Sequence, residues 1–210
     1  NINFDVSPYR ATGSLLYLLI PSWARQGGFK DLFKRINNPE EKKKIIEALQ
    51  NFTLHYDKIF IISAKNKNIV GKTIAEAAKS SGMPPEEFIL ENLKISEGRV
   101  TIAGKTISAK NIKLEVADEN SFIASDGAGY DQEAHILGNL VHPRSFGTFP
   151  HFWHKFVKDL KVISPEAAVF KTSSGPASKL HLDKRGFVTK GYFADLAVFD
   201  PRLIKDRATY

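Results

Sequence analysis

The sequence predicts an α/β protein built on a parallel sheet, and three observations carry that prediction. Short apolar runs such as Ile59-Phe60-Ile61-Ile62 and Ser121-Phe122-Ile123-Ala124 read as buried strands. Longer amphipathic stretches with helical spacing lie between them. The order along the chain is strand, helices, strand, helices, strand, helices, the pattern of strands joined by crossover helices. About three such units are present, whereas a closed (β/α)8 barrel takes ~250 residues. No internal repeat or low-complexity tract interrupts the pattern.

Each element has a local signal. Asn1 to Val6 alternates and runs into the Pro-broken loop Ser7-Pro8-Tyr9, which reads as a strand and its exit. Ser14 is a candidate N-cap for an apolar helix Leu15 to Ile20, stopped by Pro21, with Trp23 as a core anchor. After Gly27-Gly28, the residues Phe29, Leu32, Phe33 and Ile36 fall on one helical face. Asn38-Pro39-Glu40-Glu41 is a cap, a first-turn proline and two acids at the positive end of a helix that runs to about Phe52. Lys58 to Ser63 is a strand. Thr73 caps a helix to Ser80 that Gly82 ends, and Pro84-Pro85-Glu86-Glu87 opens another. Arg99 to Ala103 is a strand, Ser108 to Asp118 a helix, and Ser121 to Ser125 a strand. Phe149 to Leu160, Ser164 to Thr172 and Gly175 to Leu182 read as helices. In the tail, Gly186-Phe187-Val188 and Asp195 to Asp200 read as short strands joined by a Gly191 turn.

Composition bounds the rest. The 210 residues, 42% of them apolar or aromatic, are enough for a real core. The net charge of +7 comes from dispersed lysines, as in Glu40-Glu41-Lys42-Lys43-Lys44, which read as solvated helix faces rather than a nucleic-acid surface. Lys184-Arg185 likewise reads as a solvated turn. Without cysteine there are no disulfides or thiolate ligands, which fits a cytoplasmic protein. The longest early apolar run, Leu15 to Ile20, is far shorter than the ~20 residues a membrane span needs and has no signal-peptide flanks. The first residue is Asn1 rather than methionine and the last is Tyr210, and we expect a piece of a longer polypeptide.

The most informative feature is Ser125-Asp126-Gly127, followed sixteen residues on by His142-Pro143-Arg144. A carboxylate at the tip of a buried strand is where α/β barrels keep their chemistry, and the glycine lets the chain turn away and leave the acid uncovered. Arg144 then returns on the following loop beside His142. An acid/base group with an anion clamp suits hydrolysis of a small anionic substrate. The bland alternatives are a strand-ending Asx turn for Asp126, a surface arginine for Arg144 and a loop-holding hydrogen bond for His142. His151 and His154 share a helical face at the spacing of a metal pair, but no third ligand follows, so a pair that is solvated or packed with Phe152 and Trp153 is the expectation. His55, His135 and His181 are isolated. The loop Gly127 to Val141 is a candidate lid.

Ser125-Asp126-Gly127 and the run His142-Pro143-Arg144-Ser145-Phe146-Gly147-Thr148-Phe149-Pro150 resemble the N-acyl-D-amino-acid deacylases of the amidohydrolase superfamily. So do Asp5-Val6-Ser7-Pro8-Tyr9 with Gly13-Ser14, and the tail elements Asp183-Lys184-Arg185-Gly186 and Lys190-Gly191-Tyr192-Phe193-Ala194-Asp195-Leu196. The resemblance covers nearly the whole chain but only the C-terminal half of a family member. It implies the C-terminal part of a (β/α)8 metal-dependent hydrolase barrel over 1–182, with a helical insertion around 28–56. Residues 183–210 would then be strands of a small β-sandwich. It implies Asp126 as general acid/base and a weak second-site metal ligand, and Arg144 as the clamp on the substrate carboxylate. Tyr9, Ser14 and His142 become substrate-binding candidates. The cofactor implied is zinc, its main ligands lying N-terminal to this chain, where no His-x-His pair occurs. The partners implied are a small N-acyl amino acid, and the N-terminal half of the same enzyme or a second copy, with no nucleic acid and no membrane. Two alternatives stay open: a dihydroorotase- or hydantoinase-like cyclic amidase, and a catalytically incomplete fragment.

Overall fold

The computed structural model describes residues 2–52, 54–130 and 140–210. In chain order it contains β1 (Phe4–Val6), β2 (Ala11–Leu15), a 3₁₀ turn (Leu16–Leu19), α1 (Ser22–Arg25), α2 (Gly28–Asn37) and α3 (Pro39–Asn51). Then come β3 (Ile59–Ser63), a second 3₁₀ turn (Lys67–Ile69), α4 (Ile74–Ser80), α5 (Pro85–Ile95), β4 (Thr101–Lys105), α6 (Ala109–Ala117) and β5 (Ser121–Ile123). α7 (Arg144–Phe152) continues as a π-helical stretch (Trp153–Asp159), followed by α8 (Pro165–Thr172) and α9 (Ser174–Lys179). By their contacts the described residues fall into two units.

The first unit comprises 2–10, 107–130 and 143–210. β1 and β5 pair in parallel with Phe4 opposite Ser121, Asp5 opposite Phe122 and Val6 opposite Ile123. Parallel pairing brings both C-terminal strand ends to the same side. There the Ala124 N–H donates to the Val6 carbonyl at 3.0 Å and Ser7 Oγ to the Ser125 carbonyl at 3.5 Å. The core joins Val6 and Ile123 to Ile112 and Val116 of α6, Phe152, Phe156 and Val157, and Ala168 of α8. At the other end of β5 the buried Lys171 ammonium donates to the carbonyls of Asp118 and Ser121 and to Ser121 Oγ.

Two expectations change here. The helix predicted from Phe149 begins instead at Arg144, so Arg144 is a helix residue and not a loop residue. Pro150 lies inside α7, where it lacks a donor and crowds the preceding turn, and the helix widens to π geometry just beyond it. The second change concerns 183–210, which contains no strand. The segment turns at Thr189–Tyr192, is held by an Arg185–Asp195 ion pair, and lays Arg185 over the Phe193 ring. A strand needs a ladder partner, and Val188 and Val198 stand 88% and 97% exposed with none beside them among the described residues.

The second unit comprises 11–106 and 140–142. Its sheet is antiparallel, in the order β2-β4-β3, which corrects the expectation of parallel pairing throughout. Ser14 sits in β2 opposite Ile102 and is not a helix cap; only the 3₁₀ turn Leu16–Leu19 stands where a helix was expected. Trp23 is 40% exposed and anchors no core. The helices follow their signals closely. Asn38 Oδ1 accepts from the Glu40 and Glu41 amides, and Thr73 and Glu76 form a reciprocal capping box. Leu32, Ile36, Ile45, Leu49, Ile61, Ile74, Phe88, Ile89, Leu93 and Ile102 are among the residues of its core.

Candidate active site

The chain leaves β5 through Ala124 and Ser125 into Asp126, whose φ of 48° is left-handed, a conformation Asp adopts more readily than most residues. Gly127 follows, its N–H donating to Ser125 Oγ at 3.2 Å. A Cβ on Gly127 would stand 2.9 Å from the Ser145 Cα, so only glycine lets the loop pass this close to the start of α7. That approach sets the carboxylate on the first residue of the helix: Arg144 Nη1 and Asp126 Oδ2 are 2.9 Å apart. The Arg144 side chain is 17% exposed and that of Asp126 72%. The acid is therefore uncovered.

Tyr9 enters the same unit from the loop after β1. Its ring stacks on His151, with centroids 4.5 Å apart and planes 13° off parallel. Burial pushes its hydroxyl up to about 12, so at neutral pH it remains a phenol able to donate. The hydroxyl faces Thr148, whose Oγ1 donates to the Arg144 carbonyl at 2.8 Å, and lies 3.5 Å from where a Cβ on Gly147 would be. His151 Nδ1 meets Asp206 Oδ2 at 3.2 Å. A carboxylate only accepts, so the imidazole donates. Burial holds His151 below its ordinary value of 6.5, with Asp206 opposing. Burial also raises the Tyr210 phenol, against the pull of Arg144.

Of the residues singled out from the sequence, Asp126 and Arg144 are brought into contact and Tyr9 lies beside the Arg144 helix. Ser14 and His142 belong to the other unit. His142 is buried there, its Nε2 2.9 Å from the Ala11 carbonyl, to which it donates. His151 is packed between aromatic rings, and His154 lies 3.8 Å from Asp159. The part of the candidate lid at 131–139, with His135, lies outside the described residues. Sequence reasoning missed Thr148 and Asp206. Thr148 stood within the Arg144 motif; Asp206, 55 residues from His151, gave no local signal.

Zinc takes four donors in a structural site and three in a catalytic one. Among the described residues no group of three or more His, Cys, Asp or Glu converges, so they do not fit a zinc site of their own. No helix among them is long and apolar enough to cross a membrane.

Against known proteins, no family model matches. The D-aminoacylase of Alcaligenes xylosoxydans xylosoxydans is 39% identical over 90 residues, 43% of this chain and 17% of that protein. The N-acyl-D-aspartate deacylase of the same organism is 34% identical over 88 residues, 42% of this chain and 16% of that protein. Among solved structures, a D-aminoacylase studied for its binuclear metal centre superposes over 100% of this chain and 35% of its own, with a TM-score of 0.69 at 24% identity. The N-acyl-D-glutamate deacylase of Bordetella bronchiseptica, complexed with zinc and a phosphonate inhibitor, superposes over 98% of this chain and 34% of its own, with a TM-score of 0.68 at 20% identity. The chain is thus similar to the N-acyl-D-amino-acid deacylases in sequence over part of its length and in α/β fold over nearly all of it. It spans about a sixth of the length of the curated relatives and about a third of the structures.

Proposed function

We propose that this chain is the C-terminal portion of a zinc-dependent N-acyl-D-amino-acid deacylase, and that the end of β5 with the start of α7 forms one wall of its active site. The β1–β5 unit is then a segment of a (β/α)8 barrel, and the zinc ligands lie outside the described residues. One observation carries the reading: the exposed Asp126 carboxylate is 2.9 Å from the Arg144 guanidinium at the C-terminal end of a parallel strand.

The pair has a direct chemical consequence. The acid's side of the pair is 72% exposed and open to water, so a substrate α-carboxylate competes with it for the largely buried Arg144 guanidinium. The guanidinium takes that carboxylate in a bidentate fork. Asp126, displaced from its partner, is left as a free carboxylate next to the bound substrate. It then accepts the proton of the attacking water and passes it to the leaving amine, as general base and general acid in turn. The neutral Tyr9 phenol, its hydroxyl buried against Gly147 and Thr148, supports the helix that presents Arg144. The amide C–N bond breaks, and the products are a carboxylate and a D-amino acid.

The test is steady-state kinetics of the zinc-loaded full-length protein. Asp126→Ala lowers kcat by about 10²–10⁴-fold while the fold persists. Arg144→Ala chiefly raises KM and removes the preference for a substrate bearing a free carboxylate. Wild-type kinetics in both variants reject the assignment, and a preference for hydantoins over N-acyl amino acids replaces it with cyclic-amide opening.

A further inference from the structure

The last twelve residues run along α7 and its π-helical continuation in the opposite direction. The Phe199 ring meets Trp153 edge-on at 5.0 Å, and the Pro201 carbonyl accepts from Trp153 Nε1 at 3.2 Å. The Arg202 carbonyl accepts from Lys158 Nζ at 2.8 Å. Asp206 then reaches His151. A Cβ on Gly147 would stand 2.9 Å from the Asp206 Cβ and 3.2 Å from the Ala208 Cβ. Tyr210 reaches the field of Arg144. The tail is a strap on the helix that carries the proposed carboxylate clamp, and Gly147 is the notch in which it lies.

Most of these contacts are apolar or reach a backbone carbonyl of the tail. The His151–Asp206 contact differs because it fixes a side chain that in turn fixes another. Both side chains are 18% exposed. The carboxylate holds the imidazole as the Nδ1–H tautomer and sets the plane of its ring. Tyr9 stacks on that plane, which leaves its hydroxyl against Thr148, one turn along the helix from Arg144. On the remaining sides His151 faces Phe156, Lys155 and His154.

We infer that His151 and Asp206 are positioning residues: together they pin the tail to the Arg144 helix and hold the buried Tyr9 hydroxyl against that helix, one turn from the carboxylate clamp. The inference rests on the deacylase reading for the identity of the substrate, but not for the geometry of the pair. A carboxylate-to-imidazole-to-phenol arrangement acts on where the substrate is held, so its loss falls on KM rather than on the chemical step.

The experiment compares the wild-type full-length, zinc-loaded protein with Asp206→Asn, Asp206→Glu and His151→Gln. It measures hydrolysis of an N-acyl amino acid well below each melting temperature, and the NMR ring-proton shifts of Tyr9. The expected result is a KM raised about tenfold in Asp206→Asn and His151→Gln with kcat within about threefold of wild type. Tyr9 signals move in both, and Asp206→Glu recovers part of the loss. Lower melting temperatures with an unchanged KM and unmoved Tyr9 signals overturn the inference and leave the deacylase reading intact. A wild-type protein that hydrolyses no N-acyl amino acid sinks that reading instead, and the Tyr9 signals alone then decide for or against the pair.

Discussion

At the scale of single residues, Gly127 and His151 are the points where small changes reach furthest. A methyl group at Gly127 meets the Ser145 Cα at 2.9 Å, and neither backbone yields as a flexible side chain would. Gly127→Ala therefore lifts Asp126 away from Arg144. We expect a cost of about 1–3 kcal/mol in denaturant unfolding, with kcat/KM for an N-acyl amino acid falling about 10²-fold because the acid is misplaced. Wild-type values for both quantities contradict the close approach. His151 makes a prediction about pH. Its folded value lies below 6.5 because burial disfavours the imidazolium more than Asp206 restores it. The folded state then binds fewer protons than the unfolded state between those two values. Stability contributed by this group is complete above 6.5 and is lost as pH falls from 6.5 through the folded value. In urea melts from pH 8 to pH 5, His151→Gln should be less sensitive to acid than wild type over that window. An equal or steeper acid dependence in the variant rejects the assignment.

Elements were legible where a cap and a period spoke together. Asn38-Pro39-Glu40-Glu41 and Thr73 with Glu76 gave α3 and α4 to within a residue, because a local side chain satisfies the first amides. β2 was missed because Ala11-Thr12-Gly13-Ser14 is polar, short and contains glycine; its ladder with β4 makes it a strand. The start of α7 was missed because Gly147 and Pro150 hide its period. Lys171 was passed over as one more basic residue, yet it closes the lower end of β5. Its burial pulls it below the usual lysine range while Asp118 and Glu119 oppose the shift. Lys171→Met keeps the stem and removes the donor to the Ser121 carbonyl, while the Asp118 carbonyl keeps the Ser121 N–H and Oγ. The expected loss is about 1–3 kcal/mol in chemical denaturation. A variant as stable as wild type shows that water replaces the ammonium.

Across the whole molecule, the Asp126–Arg144 contact was easier to anticipate from the sequence than the sheets. The Asp126 and Arg144 motifs sit close in sequence, so their contact could be anticipated from a turn. The direction of strand pairing could not. An apolar run such as Ile59-Phe60-Ile61-Ile62 reports burial but not its neighbour, and β3 proves antiparallel to β4. Val188 and Val198 show the converse, strand-like side chains that stand exposed and join no sheet among the described residues. What the fold adds is a division of the interior. Leu49 is fully buried in one cluster and Phe152 is 1% exposed in the other, and the two clusters share no residue. Leu49→Ala should cost about 2–5 kcal/mol and Phe152→Ala about 3–5 kcal/mol, from lost transfer energy and the cavity left behind. Residues without shared partners add, so the double variant should match the sum to within about 0.5 kcal/mol. Hydrogen exchange locates each effect: Leu49→Ala speeds exchange in α2 to α5 and leaves α6 to α8 protected, while Phe152→Ala does the reverse. Exchange that rises everywhere in either single variant means that the two interiors open as one cooperative body, and the division then fails as a description of stability.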